Sequence, residues 1–354
     1  MKSPEAFIVV RRARIDLPQI CKPSASWRRR ESGGAYRRGP FPAGKATPFP
    51  VCVDDALAYA LMCVKARRSV RENGYRVNGG LVMVYNTIMV QLDIDTRATP
   101  RLAFAWSLAR RFEAKLIAFC AAEPYLSIPE DIDGSASSVK MQQKCIEIEE
   151  QLKALKSEFE HLVGKNHGSW LGMVGDPTKL LAYHARAADL LVASANNGVA
   201  SGLRTVFPGE LILSAGRPIL FPNERHEPVA AANVLVSWKD TREARRAVVD
   251  AMPFLLAGQE VLVATIEDDD KHRAHESVAE VVRFLVRHGV NARSKVIEAS
   301  DREAPEVLLN EAKVIGADLI VPGGYGHSRL REWIFGGVTL SLLADHSINR
   351  LMAN

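Results

Sequence analysis

The chain has 354 residues, 47% hydrophobic and 25% charged, with a net charge of +5. That is enough length for two domains of ordinary size, each with its own core, and the composition excludes a wholly disordered or fibrous chain. No apolar run approaches the roughly eighteen residues of a membrane helix, so no membrane partner is expected.

Five cysteines lack CxxC or Cys/His metal spacing, which points to free thiols in a reducing, cytoplasmic setting. The charge is unevenly placed. Residues 1–82 hold 16 Lys+Arg against 6 Asp+Glu, leaving 30 basic and 35 acidic residues for 83–354. The body is mildly acidic and gathers no basic face, so no nucleic-acid partner is expected.

Residues 1–50 are rich in Arg, Pro, Gly and Ser without helical or strand period, a composition that reads as disordered. VDDALAYALMCVKARRSV (53–70) reads as one short helix without an obvious partner. The Arg-rich, acid-poor start also resembles a mitochondrial transit peptide. Met83 follows GGLV and precedes the first convincing strand, VYNTIMVQLDID. Two glycine codons at that distance match the spacing of a bacterial ribosome-binding site, so translation is expected to begin at Met83 and 1–82 to be upstream sequence read in frame. The expected division is 1–82 as an extension, 83–226 as a first domain and 230–354 as a second, joined by FPNERHEPVAAAN (221–233).

From Asn86 onward, strands and helices alternate. TIMVQL is a strand, and Leu102, Ala105, Leu108, Ala109 and Phe112 mark a helix face. AKLIAFCAA follows as a strand, then Ile148, Leu152, Leu155, Phe159 and Leu162 recur at helical spacing. GSWLGMVG is a third strand, PTKLLAYHARA a helix entered through Asp176-Pro177, and DLLVAS a buried fourth strand. The second run reads VLVSW, helix 241–256, EVLVATI, helix 274–288, ARSKVIEA, helix 303–315 and DLIVPG. Short apolar strands separated by helices predict parallel sheet covered on both faces.

The two runs are copies of one unit. Asn86 answers Asn233 at an offset of 147, and Asp189 answers Asp318 at 129. The second copy is thus 18 residues shorter, a difference expected between its second strand and second helix, opposite YLSIPEDIDGSASSVK of the first. Repeats this long are duplicated domains rather than a solenoid.

The stretch GGYGHSRLREWIFGGVT (323–339) follows the last strong strand. In open parallel sheets ligands sit beyond the carboxyl ends of the strands. Glycines there let backbone amides approach an anion, and a helix begun after Gly336-Gly337 aims its amino end at the same place. The other reading is that the glycines only shape the turn.

GADLIVPGGYGHSRLREWIFGGVT resembles the signature of the universal stress protein family: Gly-x-x-Gly, nine residues, then Gly followed by Ser or Thr. The resemblance covers 86–354 as a tandem pair. It implies two tandem open parallel five-stranded sheets with helices on both faces, a Rossmann-like, adenine nucleotide alpha hydrolase-like fold that pairs through the last strand. In one branch it implies ATP between the first strand's end and the glycine motif, with Mg only as counter-ion. Carried over, Gly323, Gly326, Gly336, Val338 and Thr339 would hold ribose and phosphates, and Ile266 would face the adenine. Ser237 and Trp238 would close the first strand's end, and Arg329, with Arg331, could pair with phosphates.

Two positions depart from the signature. Gly337 stands where the family has Ser or Thr, which removes a hydroxyl donor. Trp238 is matched to the expected aspartate, which removes a contact and offers a stacking face instead. In the first copy Gly198, Gly202 and Gly209 do not reproduce the spacing, so Asp93 or Asp95 stands without a cradle; that copy is expected to be a structural or pairing partner.

His327 has no carboxylate partner by spacing, the His pair of HLVGKNHG fits no zinc pattern, and EDDDKHRAHE lacks the glycine and the terminal Glu of an EF-hand loop. No metal site is expected. The expected function is a non-catalytic, stress-response, ATP-binding module acting through conformation or pairing. The alternative is an interaction protein whose glycine motif is architectural, and a slow ATP hydrolase lacks an assignable base. A homodimer and an intramolecular pseudo-dimer are both open, since the polar ending SINRLMAN makes an unpromising last strand.

Overall fold

The structure is a computed structural model, described for residues 84–125, 134–195, 204–267, 271–298, 303–323 and 337–354. For 134–137, 271 and 337–340 the description extends to the backbone alone, as it does for Arg76–Val77 and Gly80–Leu81, which pair antiparallel. All of these lie in one unit, Val53–Asn354. The expected disorder of 1–50, the helix at 53–70 and the start at Met83 fall outside the described residues.

Five strands form the first half: β1 Thr87–Leu92, β2 Lys115–Ala122, β3 Gly168–Val174, β4 Leu190–Val192 and β5 Ile219–Phe221. Between them run α1 Thr99–Arg111, α2 Gly134–Val163, α3 Pro177–His184 and α4 Pro208–Ser214. The second half repeats the scheme with β6 Asn233–Ser237, β7 Glu260–Ile266, β8 Ala292–Ile297, β9 Leu319–Pro322 and β10 Asn349–Met352. Its helices are α5 Arg242–Asp250, α6 Met252–Leu255, α7 Lys271–Arg287, α8 Ala304–Val314 and α9 Gly337–Ala344.

All ten strands join one sheet in the order β8-β7-β6-β9-β10-β5-β4-β1-β2-β3. Each half is parallel throughout. The halves meet at an antiparallel pair, in which Arg350, Leu351 and Met352 of β10 face Phe221, Leu220 and Ile219 of β5. The two expected five-stranded sheets are therefore one sheet, paired within a single chain.

Strand alternation sends Ile88, Val90 and Leu92 to one face and Met89 to the other. On the first face α1, α2, α5 and α7 share one core that runs across both halves. On the opposite face α3, α4 and α9 share a core with the first half's strands and Met352 of β10, and α8 packs chiefly against the second half. Near the seam Tyr85, Phe112 and Phe254 form an aromatic trio in which Phe112 meets the other two rings edge-on, with Tyr85–Phe112 centroids 5.1 Å apart.

The Asp176-Pro177 entry to α3 is a true cap: Oδ1 of Asp176 accepts from the amides of Thr178 at 3.0 Å and Lys179 at 3.1 Å. Four expectations are corrected. The helix expected over 241–256 is broken into α5 and α6 at Pro253, which has no N–H to continue the ladder. Phe221 belongs to β5 rather than to the linker. The extra length of the first copy lies largely in the helix itself, since α2 has 30 residues and α7 has 17. SINRLMAN does supply a last strand: Asn349 through Met352 are all buried, with the Asn349 side-chain amide and both Nη atoms of Arg350 hydrogen-bonded to partners from elsewhere in the chain, while Arg350 Nε is buried without one.

Candidate functional site

In the second half β6 lies between β7 and β9, and the connections leave it in opposite directions. That is the switch point at which a doubly wound sheet opens a crevice beyond its carboxyl ends. Ser237 ends β6, in register with Pro322 of β9 and Ala264 of β7. Gly323 extends β9 by one parallel bridge to Ala353.

Helix α5 begins beside this point. Thr241 is its N-cap, and Oγ1 accepts from the Ala244 amide at 3.2 Å. The helix turn lies so close to Gly323 that a Cβ there would stand 2.6 Å from Ala244 N and 2.8 Å from its Cα. Glycine at 323 is thus required by packing of the strand end against the helix. α9 begins at Gly337, and the backbones of Gly337, Val338 and Thr339 form its first turn.

Trp238 is 7% exposed and packs in the shared core. Its amide donates to Ala264 O at 2.8 Å, and its indole Nε1–H donates to Ser277 Oγ at 2.9 Å. Ile266 is half-buried at the end of β7, opposite Ile297, and Ser237 is half-buried as well. The structure brings Ser237, Trp238 and Gly323 to adjoining strand ends. Gly326, Arg329 and Gly336 lie outside the described residues, as do His327 and Arg331.

The sheet register corrects the alignment of the two copies. Asp189 N donates to Thr87 O at 2.8 Å, and Asp318 N to Asn233 O at 3.1 Å. Ile88 pairs with Leu190 as Val234 pairs with Leu319. Thr87 therefore answers Asn233, an offset of 146, one less than the sequence match of the two asparagines implies. On this register the counterpart of Trp238 is Leu92, and the counterpart of Asp93 is Lys239, an exposed cation at the switch point that the sequence reading passed over. The signal was present: the paired Asp189 and Asp318 anchor both copies more firmly than the two asparagines.

The same place in the first half is filled by its own side chains. Asp93 is 5% exposed and ion-pairs with Arg101 at 2.9 Å. Its Oδ1 also accepts from Gln91 Nε2 and Thr205 Oγ1, each at 2.6 Å. Gln91 Oε1 accepts from Arg101 at 2.9 Å and from the Ser194 amide at 3.2 Å. Above it Arg204 grips Asp95 with two bonds of 2.6 and 2.8 Å. Burial, with Asp93 and Asp95 adding to it, pushes the Cys120 thiol beneath up to about 12.

A small cleft lined by Tyr85, Asp189, Arg217, Arg246 and Asp250 lies at the amino ends of β1, β4 and β5, away from the glycine stretch. Among the described residues no group of three His, Cys, Asp or Glu is placed to hold a metal. Nor is any helix among them long and apolar enough to cross a membrane.

Neither a protein-family model nor a curated protein matches the sequence. Solved structures do match. A universal stress protein from Archaeoglobus fulgidus superposes with a TM-score of 0.56 at 14% identity, covering 76% of this chain and 96% of its own. A functionally unknown protein from Pseudomonas aeruginosa gives 0.48 at 14%, over 76% and 92%. A universal stress protein in complex with cAMP gives 0.28 at 19%, with 97% of its own length but only 39% of this chain. The chain has the universal stress protein fold, a parallel α/β arrangement repeated in tandem.

Proposed function

We propose that the chain is a tandem universal stress protein, with domains at 83–226 and 230–354, whose second domain holds one adenine nucleotide, ATP, beyond the ends of β6 and β9. It acts in the cytoplasm without catalysis, through conformation or pairing. The carrying observation is the contrast between the two switch points. In the first half Asp93, Arg101, Gln91 and Thr205 bond to one another and fill the place, with Arg101 Nε left buried without a partner. In the second, β6, β9 and the capped start of α5 converge on Gly323, and exposed Lys239 replaces the buried acid.

Backbone amides at a helix start and a lysine suit the phosphate end of a nucleotide. Trp238 contributes little to a base, since its N–H is engaged and its ring is largely covered, so recognition rests on Gly323, Gly326, Gly336, Gly337, Val338 and Thr339, with Ile266, Ser237 and Arg329 beside them. Lys239 joins this set. Mg enters only with the nucleotide.

Calorimetric titration with ATP tests this, together with identification of any nucleotide released from purified protein on denaturation. Binding near one per chain is expected, lost in Gly336→Leu and weakened in Lys239→Asp. Absence of heat up to millimolar ATP would leave the second reading, in which the glycines serve the fold. The packing need at Gly323 favours that reading for this one residue.

A further inference from the structure

The last strand, Asn349–Met352, carries a buried arginine. Arg350 faces Phe221 across the antiparallel seam and is 0% exposed. No ion pair holds it among the described residues. Its Nη1 donates instead to the carbonyls of Leu342 at 3.3 Å, Leu343 at 3.1 Å and Asp345, and stands 3.5 Å from His346 Nδ1. Its Nη2 donates to Pro222 O at 2.8 Å. Burial draws its pKa down to about 10, against the opposing pull of Asp345, so the guanidinium keeps its charge at neutral pH.

These partners come from two segments, α9 with the turn after it and the residue after β5, which Arg350 joins. Leu342 and Leu343 are in the last turn of α9, whose carbonyls have no partner within the helix and carry the negative end of its dipole. Arg350 itself belongs to β10. Pro222 follows β5 directly and opens the linker from the first half. The adjoining residue strengthens the tie: Asn349 accepts from the Asn223 amide and donates to Asp318 O, each at 3.0 Å, while Glu224 N donates to His346 O at 2.8 Å.

A helix of eight residues is not stable by itself. The apolar side chains of α9 bridge the halves: Leu342 and Leu343 join a cluster with Met89, Leu211 and Ile212 of the first half and with Met352 and Leu309 of the second. A buried, unpaired charge is costly, and a leucine would pack in its place. The arginine provides what leucine cannot, a set of donors reaching α9 and the linker together.

We propose that Arg350 is a positioning residue for α9, tying the helix that follows the glycine stretch to the seam between the halves, so that occupation of the stretch and firmness of the seam are coupled. The tie stands on the geometry above. The coupling rests on the nucleotide reading of the preceding section.

Hydrogen exchange of the full chain, read peptide by peptide, tests both. In the nucleotide-free protein, Arg350→Met should speed exchange at 341–348 by about tenfold, leaving β2 and β7 unchanged, and Arg350→Lys should recover part of the loss. Acceleration equal in all strands would mean general destabilisation, and none at 341–348 would mean that packing alone holds α9; either overturns the proposal. Should Arg350→Met fail to fold, Arg350→Lys decides alone, with partial loosening confined to 341–348 expected.

In the second arm, ATP should slow exchange at 219–224 of the native chain, a segment of the first half and the linker, and should not do so in Arg350→Met that still binds ATP. Unchanged exchange at 219–224 in ATP-bound native protein overturns the coupling. If calorimetry shows that the native chain binds no ATP, the nucleotide reading fails, and the nucleotide-free arm still decides the tie.

Discussion

Gly323 shows how much one residue of a motif can mean and how little of that meaning is local. Its place in a Gly-x-x-Gly spacing was readable, whereas the reason for its missing Cβ was not, because Ala244 approaches from another element. Gly323→Ala forces backbone apart at a contact of 2.6 Å, and overpacking of this kind costs roughly 1–3 kcal/mol. Thermal unfolding without nucleotide should show that loss. A Gly323→Ala protein as stable as the native chain would mean that α5 can move aside. The neighbouring lesson is Lys239, hidden by an error of one position; in a strand such a slip exchanges one face for the other.

At the scale of elements, the buried apolar strands were legible because a parallel sheet covered on both faces needs continuous runs such as LIAFCAA and VLVAT. β10 was not, since Asn349 and Arg350 look solvent-bound until Asp318, Asn223, Pro222 and the end of α9 are seen around them. The long α2 was half legible: its period was clear from Ile148 onward, but about four further turns precede it.

The polar cluster that closes the first half was likewise invisible, being assembled from β1, α1 and the segment before α4. Because Asp93 and Arg101 are buried together, removing one strands the other. Arg101→Ala should cost roughly 3–5 kcal/mol in urea unfolding, and Asp93→Asn with Arg101→Met should recover much of it. A loss below about 1 kcal/mol, the scale of an exposed pair, would show that water reaches the cluster.

Over the whole molecule, pH acts where the halves are laced. Burial lowers the pKa of His226, with Arg101 adding to it, and burial lowers that of His346, with Arg350 adding and Asp345 and Glu224 opposing. His184, on α3, is lowered by burial and by Arg186. A histidine whose folded pKa lies below its unfolded value contributes stability that is complete above about pH 6.5 and is lost as pH falls through the folded value. Stability should therefore decline from near neutrality downward, before the carboxylates titrate. Replacing His226 and His346 by glutamine should flatten that part of the profile, and an unaltered slope would assign it elsewhere.

The antiparallel pairing of β5 with β10 within one chain has a last consequence. Two identical subunits joined this way would separate on dilution and would present two equal faces. A covalent link makes the encounter first order, independent of how much protein a cell contains. It also releases the partners from symmetry. Every assembled sheet therefore combines a switch point filled by its own side chains with a second one of different make-up.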